Sequence, residues 1–145
     1  MCLLCEEKEI KNIEVLKVCE KVKVIPNIQG LKELYCYNCP HLNSIPNIQE
    51  LQILYCADCP KITSVPNIQG LKELYCYNCP LLNSIPNIQG LKKLDCSECF
   101  LITSIPNIEG LQLLYCTNCD YLTSISNNEE LQTFVCSNRL WINPS

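Results

Sequence analysis

From Leu31 onward the chain repeats itself every 20 residues without a gap. Leu31–Glu50 reads LKELYCYNCPHLNSIPNIQE, Leu51–Gly70 LQILYCADCPKITSVPNIQG, and Leu71–Gly90 LKELYCYNCPLLNSIPNIQG. Leu91–Gly110 reads LKKLDCSECFLITSIPNIEG and Leu111–Glu130 LQLLYCTNCDYLTSISNNEE. A sixth line, LQTFVCSNRLWINPS, begins at Leu131. A period this short cannot build separate globular domains. Each line is one unit whose apolar face is buried only by its neighbours, which makes the chain a solenoid.

Within a line, Leu34-Tyr35-Cys36 alternates apolar, amphipathic, apolar. That places Leu34 and Cys36 on one face and Tyr35 on the other, as in a short half-buried strand. Stacked in register, such strands form a parallel sheet. In the second half, Pro46 has no N–H and disfavours a helical conformation at Ile45. The predicted fold class is therefore a solenoid with an in-register parallel β-sheet on one side and extended, polyproline or 3₁₀ segments on the other. Few or no α-helices are expected, and curvature should be shallow. The predicted inward set of the first full line is Leu31, Leu34, Cys36, Cys39, Leu42, Ile45 and Ile48.

The shared line is L-x-x-L-x-C-x-x-C-x-x-[LI]-x-S-[IV]-P-N-I-x-[GE]. Its first half resembles the leucine-rich repeat, with Cys at the ninth position where Asn or Cys is usual. The resemblance runs from about Ile10 to Ile142. The CxxC together with SIPNI more closely resembles leucine-rich repeat proteins encoded by giant DNA viruses of amoebae. The resemblance implies a leucine-rich repeat solenoid acting as a non-enzymatic interaction module. In that family the outward strand residues line a concave face that commonly binds proteins. Here the corresponding candidates are Tyr35, Tyr37, Tyr55, Tyr75, Tyr77, Asp95 and Tyr115, with position eight (Asn38, Asp58, Asn78, Glu98, Asn118) beside them. Tyr is enriched at binding hot spots, while stacked tyrosines also stabilise neighbouring strands.

The ends depart from the line. Residues 1–24 read as an irregular cap and first coil, 25–130 as the regular repeats, and 131–145 as a partial last repeat. Written in the same register, Leu16 stands where the later lines have their first cysteine, and Cys19 continues the second cysteine column. The fifth line has Ser126 and Asn128 where the others have Pro and Ile, which reads as decay toward a terminal repeat. The columns Ser44–Ser124 and Asn27–Asn127 are expected to bond the backbone of adjacent coils. Because Glu50 and Glu130 alternate with Gly at position twenty, a strict positive φ is not expected there.

Cysteines number 14 in 145 residues, which in a secreted chain would suggest disulfides. The opening Met1-Cys2-Leu3-Leu4-Cys5 lacks the basic start and long apolar run of a secretory signal. An intracellular, reducing location is expected, in the cytoplasm of a host cell or in a virion, where stable disulfides are rare. Sixteen residues separate Cys39 from Cys56, a zinc-ribbon spacing, so Cys36, Cys39, Cys56 and Cys59 are the alternative metal ligands. The same spacing follows from any 20-residue line with cysteines at positions six and nine. The favoured reading is therefore small buried thiols, with no cofactor.

The net charge of −4 argues against nucleic acid as partner, and no apolar run reaches a membrane-spanning length. An unidentified protein is the expected partner. His41 is the lone histidine and has no evident role as a base; no phosphate loop or calcium motif occurs. Position eleven suggests a second, lateral apolar patch from Leu81, Leu101, Tyr121 and Trp141. The strand near Phe134 would leave an open edge suited to self-association, so a purely structural, self-associating solenoid is a further alternative.

Overall fold

The computed structural model describes residues 2–6, 10 and 12–137. One short strand per coil builds a seven-stranded parallel sheet: β1 (Val15–Lys17), β2 (Glu33–Tyr35), β3 (Ile53–Tyr55), β4 (Glu73–Tyr75), β5 (Lys93–Asp95), β7 (Leu113–Tyr115) and β9 (Thr133–Val135). On the opposite side, β6 (Ser104–Ile105) pairs in parallel with β8 (Ser124–Ile125). Among the described residues the only helix is a 3₁₀ turn, Leu3–Glu6. The expected architecture is thus observed.

From β2 onward every pairing advances by one full line, Leu34 opposite Leu54, Leu54 opposite Leu74, Leu74 opposite Leu94. The central leucine of β2, β3, β4, β5 and β7 is fully buried, and its neighbours are half-buried. The seven inward residues expected for the first full line are all buried. Pairing continues one residue past each strand, as where Cys36 N–H donates to Tyr55 C=O at 2.8 Å and Cys56 N–H to Tyr75 C=O at 2.8 Å.

Position eight then ends the strand. Asn38, Asp58, Asn78, Glu98 and Asn118 all have φ between 52° and 58°, the left-handed region that Asn and Asp tolerate best among side-chain-bearing residues. This column therefore forms the corner rather than the flat sheet face expected for it. Its N–H groups stay paired across coils, Asn78 to Ser97 C=O at 2.8 Å and Glu98 to Thr117 C=O at 2.8 Å.

Position twenty has no strict positive φ, as expected from its mixture of Gly and Glu. Gly30, Gly70, Gly90 and Gly110 all have positive φ, from 79° to 90°. The turn is closed by Leu71 N–H to Ile68 C=O at 3.3 Å, so Gly70 is the third residue of a type II turn, where positive φ is required. Glu50 and Glu130 close the same bond without it, through Leu51 to Ile48 at 3.1 Å and Leu131 to Asn128 at 3.2 Å. One turn position thus has two backbone solutions.

The proline column governs the back of the solenoid. In three coils Ile N–H turns back to the proline carbonyl two residues earlier, Ile48 to Pro46 at 3.0 Å, Ile68 to Pro66 at 2.9 Å and Ile88 to Pro86 at 2.9 Å. Such tight turns satisfy the backbone locally. Where Ser126 replaces proline, its N–H donates to Ile105 C=O at 2.9 Å, and there β6 and β8 pair. Asn128, in the isoleucine column, is buried. Its Oδ1 accepts from Ile108 N–H at 2.8 Å, and its Nδ2 donates to Ser126 C=O at 2.7 Å. The fifth line is therefore a hydrogen-bonded substitute for the repeat, not its decay. The Ser and Asn columns face solvent. Gln89 to Asn87 and Asn127 to Glu129 bond along one turn, not between coils.

The first coil is two residues short. Val15, Leu16 and Lys17 pair with Glu33, Leu34 and Tyr35, an offset of 18 rather than 20. Leu16 therefore occupies the leucine column, and Val18, whose N–H donates to Tyr35 C=O at 2.8 Å, takes the place of the first cysteine. Cys19 returns to register, because Val22 N–H bonds its carbonyl as Leu42 bonds that of Cys39, both at 3.2 Å. The missing pair is the position-seven and position-eight corner.

Four variants test these backbone solutions. Asn128→Ala leaves the buried Ile108 N–H unpaired and should cost about 1–3 kcal/mol in urea unfolding. The Ser126→Pro/Asn128→Ile double variant rebuilds the common line and should lose less than the two single changes summed. Glu98→Asn eases a left-handed residue and should raise stability by roughly 0.5 kcal/mol, whereas Asn78→Val should lower it by about 1–2 kcal/mol.

Candidate functional site

Five of the seven tyrosine-face candidates, on and beside three successive strands, form one cluster centred on Tyr55. Its ring stacks on Tyr75 with centroids 5.2 Å apart and lies 6.2 Å from Tyr35. Tyr37 and Tyr77 meet it edge-on at 6.1 and 5.9 Å. Between those two in position seven, Ala57 is a fully buried methyl, which leaves room for both rings to reach Tyr55. Register places these rings together: position five pairs Tyr35 with Tyr55 and Tyr55 with Tyr75. Offset and edge-to-face geometries suit the ring quadrupoles.

The hydroxyls are held as well. The Tyr55 and Tyr77 hydroxyls are 2.5 Å apart, and Tyr35 and Tyr75 donate to Glu33 and Glu73 at 2.9 Å each. The bond to Glu33 raises the Tyr35 phenol, and the bond to Tyr55 raises Tyr77. Burial, then the bond to Glu73, pushes Tyr75 up to about 12. Burial alone would raise Glu73, but the bonds from Lys93, 2.9 Å away, and Tyr75 outweigh it and hold the carboxyl below the usual range. Lys17 lies 6.0 Å from the Tyr35 ring centre at the other end. Tyr37 remains the most open member, 57% exposed.

Asp95 interrupts the column. It pairs with Tyr75 on one side and Tyr115 on the other, and its carboxylate accepts from Ser97 N–H at 3.1 Å. Tyr115 is therefore separated from the five-ring cluster. In the lateral column Leu81, Leu101 and Tyr121 are exposed, as are Phe100 and His41; Trp141 lies outside the described residues. In β9, Phe134 and Val135 are exposed where β2, β3, β4, β5 and β7 bury or half-bury the same positions.

The ten column cysteines from Cys36 to Cys119 are all buried. Position nine acts as a donor between coils. Cys59 Sγ reaches Cys36 C=O at 2.9 Å, Cys79 reaches Cys56 at 3.1 Å, Cys99 reaches Cys76 at 3.1 Å, and Cys119 reaches Cys96 at 3.2 Å. Each bond satisfies a carbonyl at the strand end, where a buried unpaired acceptor would be costly. Desolvation by burial pushes Cys39 and Cys79 up to about 12 and Cys56 well above the ordinary thiol range. Cys36, Cys39, Cys56 and Cys59 do not bring three sulfurs within 4.8 Å of one another; among the described residues the one three-ligand group of that kind is Cys2, Cys5 and Cys19. Cys2 and Cys5 lie outside the two cysteine columns of the repeat. No signal in the 20-residue line points to their meeting Cys19.

These features define a cysteine-rich parallel β-solenoid with a 20-residue coil. No family model matches the chain, and no curated protein or solved structure matches it. Among the described residues, no helix is long and apolar enough to cross a membrane.

The raised thiols set a pH dependence. A thiol whose folded pKa is raised stabilises the fold fully below its ordinary value near 9, and that contribution is lost as pH rises toward 12. Under reducing conditions the unfolding free energy should be level from pH 7 to 8.5. It should then fall by more than about 1 kcal/mol per pH unit between 9.5 and 11, measured by urea titration.

Proposed function

We propose that this protein is a non-enzymatic protein–protein interaction module of the short leucine-rich repeat kind, similar to those of giant DNA viruses of amoebae. It would capture a partner protein on its tyrosine face. The observation that carries this reading is the five-ring cluster around Tyr55, already ordered by ring contacts and hydroxyl bonds yet open at Tyr37. Rigid aromatic anchors lose little conformational entropy on binding, so more of their buried area becomes affinity. Carboxylates of Glu33, Glu73 and Asp95 border the rings and favour a partner that presents Arg or Lys among apolar side chains.

The non-catalytic part of the reading is supported by two of the column thiols, Cys56 and Cys79. Burial keeps Cys56 and Cys79 protonated at neutral pH, and the thiolate is the nucleophile. The competing reading, a zinc protein built on Cys36, Cys39, Cys56 and Cys59, has less support because Cys59 is committed to the Cys36 carbonyl.

Pull-down from host-cell lysate with the wild type, a Tyr37→Ala/Tyr77→Ser variant and a Ser44→Ala/Ser84→Ala variant of the opposite side tests the proposal. A partner retained by wild type and the Ser variant should fall at least tenfold with the Tyr variant, in line with loss of hot-spot aromatics. Equal capture by all three would remove the tyrosine face as the binding surface.

A further inference from the structure

We propose that Cys2, Cys5 and Cys19 form a three-thiolate site for a soft divalent cation, with zinc the biological candidate and a fourth position open to solvent. The three Sγ atoms lie within 4.8 Å of one another, and those of Cys5 and Cys19 are 3.2 Å apart. Tetrahedral zinc–thiolate bonds of about 2.3 Å imply sulfur separations of roughly 3.8 Å. One separation is shorter than that and none exceeds it by more than about 1 Å, so small side-chain adjustments suffice.

Two local structures converge to make the group. Cys2 immediately precedes the tight Leu3–Glu6 turn and Cys5 lies within it, with Cys5 N–H donating to Cys2 C=O at 3.0 Å. Cys19 comes from the shortened corner after β1. In the later coils that corner carries two more residues, and the position-eight N–H donates to a neighbouring carbonyl, as Asn38 does to Ala57. In the short corner Cys19 N–H instead points at Cys2 Sγ, 3.4 Å away. A backbone donor aimed at a ligating sulfur is a recurrent partner of metal-bound thiolates.

The surroundings suit an anionic complex. Three thiolates and one divalent ion carry a net charge of −1, and the groove that contains all three cysteines is lined by two lysines, Lys17 and Lys21, against one carboxylate, Glu20. Cys39 is the nearest column thiol, but its S–H is directed at the carbonyls of Cys19 and Tyr37, each at 3.6 Å. It therefore belongs to the column and is not the fourth ligand. Because Cys2 and Leu4 pack partly against the core, the ion would clasp the 3₁₀ turn to the first coil, coupling metal binding to capping of the stack.

The test titrates the full-length reduced chain with Co²⁺, followed by Zn²⁺ displacement, while monitoring thiolate-to-metal charge-transfer absorption and the melting temperature. One equivalent should bind and raise the melting temperature. Cys5→Ser and Cys19→Ser should each weaken binding at least about 100-fold, while Cys136→Ser and Cys79→Ala leave it unchanged. Cys5 is exposed, so Cys5→Ser keeps the apo fold, checked by its metal-free melting curve. No charge-transfer band at one equivalent would overturn the proposal. So would a band that survives both Cys5→Ser and Cys19→Ser. Loss of the band in Cys79→Ala with retention in Cys5→Ser would move the metal to the core columns and equally overturn it.

Discussion

Parallel pairing at a constant offset is the interaction on which the rest of this molecule depends. From β2 to β9 each residue of the strand faces its own equivalent one line later. Whatever chemistry occupies one position of the line therefore becomes a column. Leucines form a continuous dry seam, cysteines form two thiol columns, and tyrosines form a ladder. A one-residue slip would turn every inward leucine toward solvent, so the hydrophobic seam also fixes the register that brings the tyrosine rings together.

The column logic explains why cysteine suits position nine. The strand ends at a left-handed corner, and the carbonyl before it needs a donor from the next coil. A thiol donates weakly but fits a fully buried space. Repeating this contact from Cys59 to Cys119 satisfies the strand ends without burying a more polar group. On the other side the same accounting is solved differently. Proline removes one donor and the isoleucine N–H turns back on its own coil, so no sheet is needed. Only where Ser126 restores the N–H does a second, two-stranded sheet appear.

The regular part of the fold was legible because a period and an alternation suffice to place Leu34, Cys36, Cys39 and Ile45 inside. The breaks were not. Sequence register put Leu16 beneath Cys36, but a strand pairs wherever its leucine can enter the seam, and a two-residue deletion at a corner is invisible until the pairing is seen. Position eight looked like part of the sheet face because Asn, Asp and Glu are polar; their left-handed φ belongs to the corner and is a backbone property. The outward direction of Tyr35, Tyr55 and Tyr75 is legible from alternation, but not the role of Ala57, whose small size admits Tyr37 and Tyr77 to Tyr55.

By itself the sequence determined that this chain is a stack of 20-residue coils with thiols inside and tyrosines outside. A gapless repeat admits one self-consistent way of burying its apolar face. Tertiary structure decided what lies at the exceptions. Which tyrosines touch and how the serine and asparagine of the fifth line replace proline and isoleucine depend on the coil on either side. That Cys2 and Cys5 reach Cys19 depends on a corner two residues shorter than the rest. Contacts between lines are set by offset and side-chain volume in three dimensions, and those are the quantities a one-line pattern does not contain.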